Sequence, residues 1–322
     1  MASKKIITVF GATGQQGGSV VETFLNDPKL KSEWTVRAVT RDTTKASAKK
    51  LQEKGAEVVA ADLDDKASLV QAVTGAHTVF AVTNYWENVN EGSKNREIQQ
   101  GRNIVDAVKD AGVQHFIFSS LLDINELTNG ALLNVYHFDS KAAVEQYARS
   151  LNIPSTFFLP GMYASNFTAG SFAIRHDEKS NTWTLALPCT EETPYPLFDT
   201  VDTGKYIKAI VLNREKLLGK RVPAATEYVT GREILDTFKK AFPEAGKSAT
   251  YYQIPHEVFL STMKGYGLPD FMATELLENM ILCEKYGYYG GASLDETHAL
   301  VEDHLTTWEE HLKAASAFKD LK

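Results

Sequence analysis

Three glycines in the run Gly11-Ala12-Thr13-Gly14-Gln15-Gln16-Gly17 follow the apolar stretch Ile6–Phe10 and precede the amphipathic stretch Ser19–Leu25. This spacing suits anion chemistry. Gly11 can take the tight turn that leaves a strand, Gly14 removes a Cβ from the path of an approaching phosphate, and Gly17 lets a helix pack on the sheet. The free N–H groups and macrodipole at the helix start then favour a pyrophosphate. Strand, loop and helix together read as a dinucleotide cradle. The next strand-like stretch, Trp34–Thr40, ends in Arg41, where an NAD site usually places an acidic residue for the ribose hydroxyls. A guanidinium there can pair a 2′-phosphate through two parallel hydrogen bonds and stack on adenine, and Lys45 adds a point charge. The expected cofactor is therefore NADP(H), with Asp42 offering a competing contact to the ribose.

Further polar groups fall at other strand ends. Asp62-Leu63 could bond the adenine amino group and cover its ring, and Thr83-Asn84-Tyr85 would lie beside the glycine loop; both pairings also read as helix caps or turns. The Gly-x-x-Gly-x-x-Gly form resembles short-chain dehydrogenase/reductase proteins of the extended and atypical kinds. That resemblance implies a Ser or Thr at the fifth strand, here Phe116-Ile117-Phe118-Ser119-Ser120, and a Tyr-x-x-x-Lys pair whose lysine is Lys141. In such enzymes the lysine holds the nicotinamide ribose and the tyrosine donates a proton. Four positions before Lys141 stands His137, and Tyr136 lies about 100° away around the helix. Lys141 and His137 are accordingly the candidate catalytic residues. Histidine is a competent general acid near neutral pH, and it is equally at home as a packing residue beside a cofactor.

The elements that must position these groups are short apolar runs alternating with helical patterns, as in right-handed βαβ units. Strands are expected at Ile6–Phe10, Thr35–Thr40, Glu57–Ala61, Thr78–Val82, His115–Ser119 and Ser155–Leu159, with helices at Gly17–Asn26, Ser47–Lys54, Lys66–Val73, Glu97–Ala111 and Phe138–Ser150. After Pro160 the rhythm breaks. Turn-formers and short mixed runs fill His176–Pro196, a helix entry and amphipathic helix occupy Asp199–Asn213, and further helices are expected at Gly231–Ala241, Ala273–Tyr286 and Asp295–Lys319. The fold class is α/β, a Rossmann doubly wound parallel sheet with a smaller mixed α/β C-terminal lobe. The expected division is 1–160 for the nucleotide domain and 161–322 for the substrate or partner lobe, discontinuous if the helix near 202–212 returns to the sheet.

With 322 residues and 43% apolar content, the chain can bury a full α/β core and a second lobe. A net charge of −7 without any basic run argues against direct nucleic-acid binding. The N-terminus Met1-Ala2-Ser3-Lys4-Lys5 enters the first strand with no visible signal peptide, and no apolar run reaches membrane-spanning length. Cys189 and Cys283 suggest neither a disulfide framework nor a metal cluster, so no metal site is expected. A cytoplasmic setting follows, or a nuclear one for a regulator.

The strings Val-Phe-Gly-Ala-Thr-Gly-Gln-Gln-Gly-Gly-Ser-Val (9–20), Val-Thr-Arg (39–41), Thr-Asn-Tyr-Trp-Glu (83–87) and His-Phe-Asp-Ser-Lys (137–141) resemble the NmrA-like family. The resemblance runs from the first strand to at least Asn166 and more loosely into the C-terminal lobe. It implies NADP contacts at Gly11, Ala12, Thr13, Gly14, Gln15, Gln16, Gly17, Arg41, Lys45, Asp62, Leu63, Thr83, Asn84, Tyr85, Lys141, Tyr163, Ala164, Ser165 and Asn166. It also implies one of two functions. One is an NADPH-dependent oxidoreductase acting on a small organic carbonyl, imine or activated double bond. The other is a non-catalytic NADPH/NADP redox sensor that regulates a transcription factor or enzyme by protein–protein interaction. A small-molecule substrate or a regulated protein is the matching partner, and a homodimer is compatible with either.

Overall fold

Alternating residues of each central strand leave for opposite faces, and this period of two builds the two halves of the core. Phe116, Phe118, Phe157 and Leu159 enter one buried cluster with Ile104, Val108 and Val144; Ile117 and Phe158 enter the other with Val20, Phe24, Ile207 and Ile210. The computed structural model describes residues 3–321; Met1 and Ala2, part of the N-terminal segment read above, and Lys322 lie outside it. Seven parallel strands stand in the order Arg221–Ala224, Ser155–Pro160, His115–Ser119, Thr78–Ala81, Lys5–Val9, Trp34–Thr40, Glu57–Ala60. Strand order reverses beside Lys5–Val9, and this crevice is where a doubly wound sheet takes a ligand.

The six expected strands form, each within a residue or so of its expected bounds, and helices Gln15–Asn26, Ala46–Glu53, Lys66–Val73, Ser93–Asp110 and Tyr136–Ser150 connect them. The seventh strand, Arg221–Ala224, escaped the sequence reading. It contains Pro223, which suggests a break but is tolerated on an edge strand.

The helix Thr203–Leu212 does return to the sheet. Gly204 packs so tightly on Gln15–Asn26 that a Cβ there would stand 2.4 Å from the Ser19 carbonyl oxygen. The Ser19 hydroxyl donates to the Val201 carbonyl at 2.6 Å and accepts from the Gly204 N–H at 2.9 Å.

Beyond Pro160 lie two small sheets. Pro194–Phe198 joins Glu227–Thr230 and Met162–Tyr163, while Thr182–Leu187 joins Arg175–Asp177 and Thr250–Gln253. The sequence reading of His176–Pro196 as turns and short runs therefore misses a hairpin. The continuous helix expected over Asp295–Lys319 is also corrected: it divides into Asp295–His298, Trp308–Ala314 and a 3-10 turn at Ser316–Phe318. Buried Asp202 holds the break open by accepting the Thr306 N–H at 2.6 Å, and Thr307 with Glu310 forms a capping box that starts the next helix.

Helix Asp270–Lys285 buries Glu275 and Asn279 against the helix that carries His137. Among the described residues, no helix is long and apolar enough to cross a membrane. No group of three or more His, Cys, Asp or Glu is gathered there to hold a metal.

Candidate functional site

The glycine loop has the geometry its composition suggests. Gly11 adopts φ +65°, its carbonyl accepts the Gly14 N–H at 2.8 Å, and Gly14 caps the helix with no side-chain hydrogen bond. A Cβ on Gly17 would stand 2.3 Å from the Gly11 carbonyl oxygen, so any other residue there would push the helix off the loop. Thr13 and Gln15 face outward and Ala12 is buried. Gln16 is buried and donates to the Tyr163 hydroxyl at 2.6 Å, tying loop to second lobe, while its Oε1 is buried without a partner. Burial raises the Tyr163 pKa, partly offset by this hydrogen bond from Gln16. Ala164, Ser165 and Asn166 follow in a 3-10 turn, with Ala164 buried and the other two half-exposed.

At the neighbouring strand end, Arg41 is exposed and pairs with Glu87 at 2.6 Å. Lys45 stands exposed at the start of helix Ala46–Glu53. Asp42 accepts from the Thr44 N–H at 2.8 Å and the Thr44 hydroxyl at 2.6 Å, and these bonds hold its carboxyl below the usual range. It is thus engaged in its own turn. Asp62 makes a similar turn by accepting the Asp64 N–H at 3.0 Å, and the half-buried Leu63 is held by Asn103, which donates to its carbonyl at 2.9 Å.

The next strand end divides its three residues. Asn84 is exposed, whereas Thr83 and Tyr85 turn their hydroxyls inward onto carboxylates. Thr83 donates to Glu97 Oε1 at 2.7 Å. The same buried carboxylate accepts Lys141 Nζ at 2.5 Å and the Ser140 hydroxyl. Lys141 is therefore held as one member of a buried ion pair whose carboxylate also accepts from Thr83 and Ser140.

One helical turn earlier, His137 meets a second buried carboxylate. Glu275 Oε1 accepts both the His137 backbone N–H at 2.8 Å and Nδ1 at 2.7 Å, and Oε2 accepts the Tyr85 hydroxyl at 2.8 Å. Asn279 Nδ2 lies 3.2 Å from His137 Nε2, and the other amide atom, Oδ1, is buried without a partner. This network assigns the Nδ1–H tautomer to the neutral ring. Trp86 lies against His137 with ring centroids 5.1 Å apart. The Tyr85 hydroxyl is committed to Glu275, and burial, reinforced by the Glu275 charge, raises its pKa far above the usual phenol value. Tyr136 donates to Asn134 Oδ1 at 2.6 Å, away from this centre. Ser120 is likewise occupied, donating to Glu145 at 2.7 Å, while the Ser119 hydroxyl is buried without a partner.

Lys141, His137, Thr83 and Tyr85 are thus brought together, and Gln16 and Tyr163 are joined to each other; Asp62 and Lys45 remain at the exposed rim. The sequence reading missed Glu97, Ser140, Glu275 and Asn279. Glu97 had a signal: it occupies the same helical stripe as Gly101, Ile104 and Val108, so a carboxylate stands where an apolar residue is expected. Glu275 lies on a helix buried on more than one side, where no single stripe marks it out.

Comparison with known proteins identifies the setting. A family model described as the NmrA-like family matches residues 3–312. The chain is 32% identical over 260 residues to the NmrA-like family domain-containing oxidoreductase notA' of Aspergillus versicolor, covering 75% of this chain and 70% of the relative. It is 28% identical over 320 residues to an NmrA-like family domain-containing protein of Dictyostelium discoideum, covering 97% of each. Among solved structures, NmrA, a negative transcriptional regulator, in complex with NADP matches with a TM-score of 0.80 at 23% identity, over 99% of this chain and 97% of that one. An NADPH-dependent quinone oxidoreductase from Escherichia coli, complexed with NADPH, matches with a TM-score of 0.74 at 23% identity, over 95% and 98%. These structural matches carry the fold, and the sequence matches carry the lineage: the chain belongs to the NmrA-like family.

Proposed function

We propose that this protein binds NADP(H) and is an NADPH-dependent oxidoreductase that reduces a small organic carbonyl, imine or activated double bond. The observation that carries the proposal is the joining of Lys141 and His137, one turn apart, each to its own buried carboxylate at the carboxyl ends of the strands. The oxidoreductase names of several relatives support the same reading.

The residues present fit the cofactor. The helix start at Gly14 has no side-chain cap, and Gln16 Oε1 is a buried acceptor without a partner. Gly11 through Gly17 would hold the pyrophosphate, with Arg41 and Lys45 at the 2′-phosphate. Asp62, Leu63, Thr83, Asn84, Tyr85 and Tyr163–Asn166 would line the remaining length, and Lys141 would hold the nicotinamide ribose. When bound, the nicotinamide supplies the hydride.

The chain itself has to supply a proton and fix its donor. His137 is that donor in this reading. Glu275 orients the ring through Nδ1 and balances the charge of an imidazolium, leaving Nε2 as the atom that releases the proton. Asn279 can offer its NH2 to the neutral ring or, after rotation of the amide, its oxygen to Nε2–H of the imidazolium. Trp86 and Tyr85 shelter this centre.

The test is NADPH oxidation with the purified protein and a panel of quinones, enones, imines, aldehydes and ketones in the absence of oxygen. Turnover above a Lys141→Ala control supports the oxidoreductase. Silence across the panel with NADPH still bound favours the redox sensor, which is supported by the half-exposed Trp86 and the polar surface segment 87–96 beside the site.

A further inference from the structure

We infer that Glu87 is a built-in competitor for the cofactor's 2′-phosphate, holding the Arg41 guanidinium until a stronger anion displaces it. The inference rests on the NADP(H) reading above. Strand Lys5–Val9, which feeds the glycine loop, is flanked by Trp34–Thr40 on one side and Thr78–Ala81 on the other. Arg41 follows the first neighbour and Glu87 lies beyond the second, so their 2.6 Å ion pair straps together the segments on either side of the crevice.

The strap has a second fastening. The Arg96 guanidinium, on helix Ser93–Asp110, donates to the Glu87 carbonyl, and to the Asn88 carbonyl at 3.4 Å. Asn88 takes the left-handed φ of +52°, and Asn84 Oδ1 accepts the Trp86 N–H at 3.2 Å. The backbone of the segment is therefore held from its own side, and only the Glu87 carboxylate crosses to Arg41. Both partners of the pair are exposed, 64% for the arginine side chain and 40% for the glutamate, so the contact is weak and exchangeable. A 2′-phosphate carries more charge than a carboxylate and can take the same guanidinium through two hydrogen bonds. It would replace Glu87, whereas a ribose hydroxyl would not. Once displaced, Glu87 must leave the phosphate by like-charge repulsion, and Trp86 is the neighbouring side chain, packed edge-on to Tyr85 with ring centroids 5.0 Å apart.

The test compares adenosine 2′,5′-bisphosphate with adenosine 5′-monophosphate by calorimetry on the full-length protein and its Glu87→Gln variant, with NADPH binding to both proteins as the reference. Tryptophan emission is followed in wild type and Trp86→Phe on adding the bisphosphate. Glu87→Gln is expected to tighten the bisphosphate by about two- to fivefold, the range an exposed ion pair can supply, and to leave the monophosphate unchanged. A Trp86-dependent emission change is expected in the wild type. If NADPH binds but Glu87→Gln takes the bisphosphate no more tightly, the competitor role is overturned and the cofactor reading stands. If the emission is unmoved, Glu87 does not shift its neighbour and the displacement is overturned. If NADPH binds neither protein, the cofactor reading and this inference fall together.

Discussion

His137 Nδ1 lies 2.7 Å from Glu275 Oε1, across 138 positions of sequence, and the same carboxylate oxygen also accepts the His137 backbone N–H. A side chain and its own main chain are thus pinned by one buried acceptor. The ring cannot swing away without giving up one of the three hydrogen bonds that reach this fully buried carboxylate. His137 is therefore held in one orientation by the second lobe.

If His137 delivers the proton, His137→Phe should lower turnover by about 100-fold or more, the usual yield of a general acid, and leave NADPH affinity nearly intact. Steady-state kinetics on a substrate identified from the panel, together with fluorescence titration of NADPH, checks both halves. Unchanged turnover would remove His137 from the mechanism.

Arg41→Ala should weaken NADPH by roughly 10- to 100-fold through loss of a charge-assisted pair, while NADH binding changes little. Calorimetric titration with the two cofactors decides. Equal losses for both would mean that Arg41 acts on the fold of its loop and not on the phosphate.

Glu97 gathers Lys141, Thr83 and Ser140, so Glu97→Ala leaves a buried ammonium without its counter-charge. A loss of about 3–5 kcal/mol in unfolding free energy is expected, read from urea denaturation. Glu97→Gln preserves the shape and part of the hydrogen bonding, and should fall between this variant and wild type. An unchanged midpoint for Glu97→Ala would show that Lys141 finds another partner.

Buried His115 provides a pH test remote from the site. Its Nε2 lies 2.9 Å from Thr156 Oγ1, which itself donates to the Leu217 carbonyl, so the ring is the donor and its Nδ1 is left buried without a partner. Burial, reinforced by the nearby Arg214 charge, pushes its pKa down from 6.5 to about 3. Between those values the unfolded chain binds a proton that the folded one refuses. The stabilisation is present above pH 6.5 and lost as pH falls toward 3, at up to about 1.4 kcal/mol per pH unit. Urea unfolding at pH 7, 6 and 5 should show wild type losing stability more steeply than His115→Gln, by about 1–2 kcal/mol at pH 5. Parallel losses would mean that His115 is protonated in the folded protein.

The first half of the fold was legible because its central strands are apolar enough to be buried on both faces and its helices carry regular stripes; His115–Ser119 and Lys66–Val73 have the bounds their sequences suggest. Legibility failed where a distant group decides the local structure. Pro223 looks like a break until Ser155–Pro160 accepts it as an edge partner, and the stretch 295–319 looks helical until Asp202, far back in the chain, claims the Thr306 N–H. The site shows the same limit. Gly11, Arg41 and Lys141 declare themselves by type and spacing, whereas Glu275 gains its role only when helix Asp270–Lys285 packs against Tyr136–Ser150.

That packing bears on how the protein can be rebuilt. Helix Asp270–Lys285 gives Glu275 and Asn279 to His137, and Glu278 accepts the Asn134 N–H at 2.7 Å. A chimera joined at Pro160 with a relative's second half would replace the counter-ion of His137 in the same cut. If His137 is the acid proposed above, substrate range and proton chemistry would then be exchanged together, and a transplant that keeps the acid requires Glu275 and Asn279 to stay in register with His137.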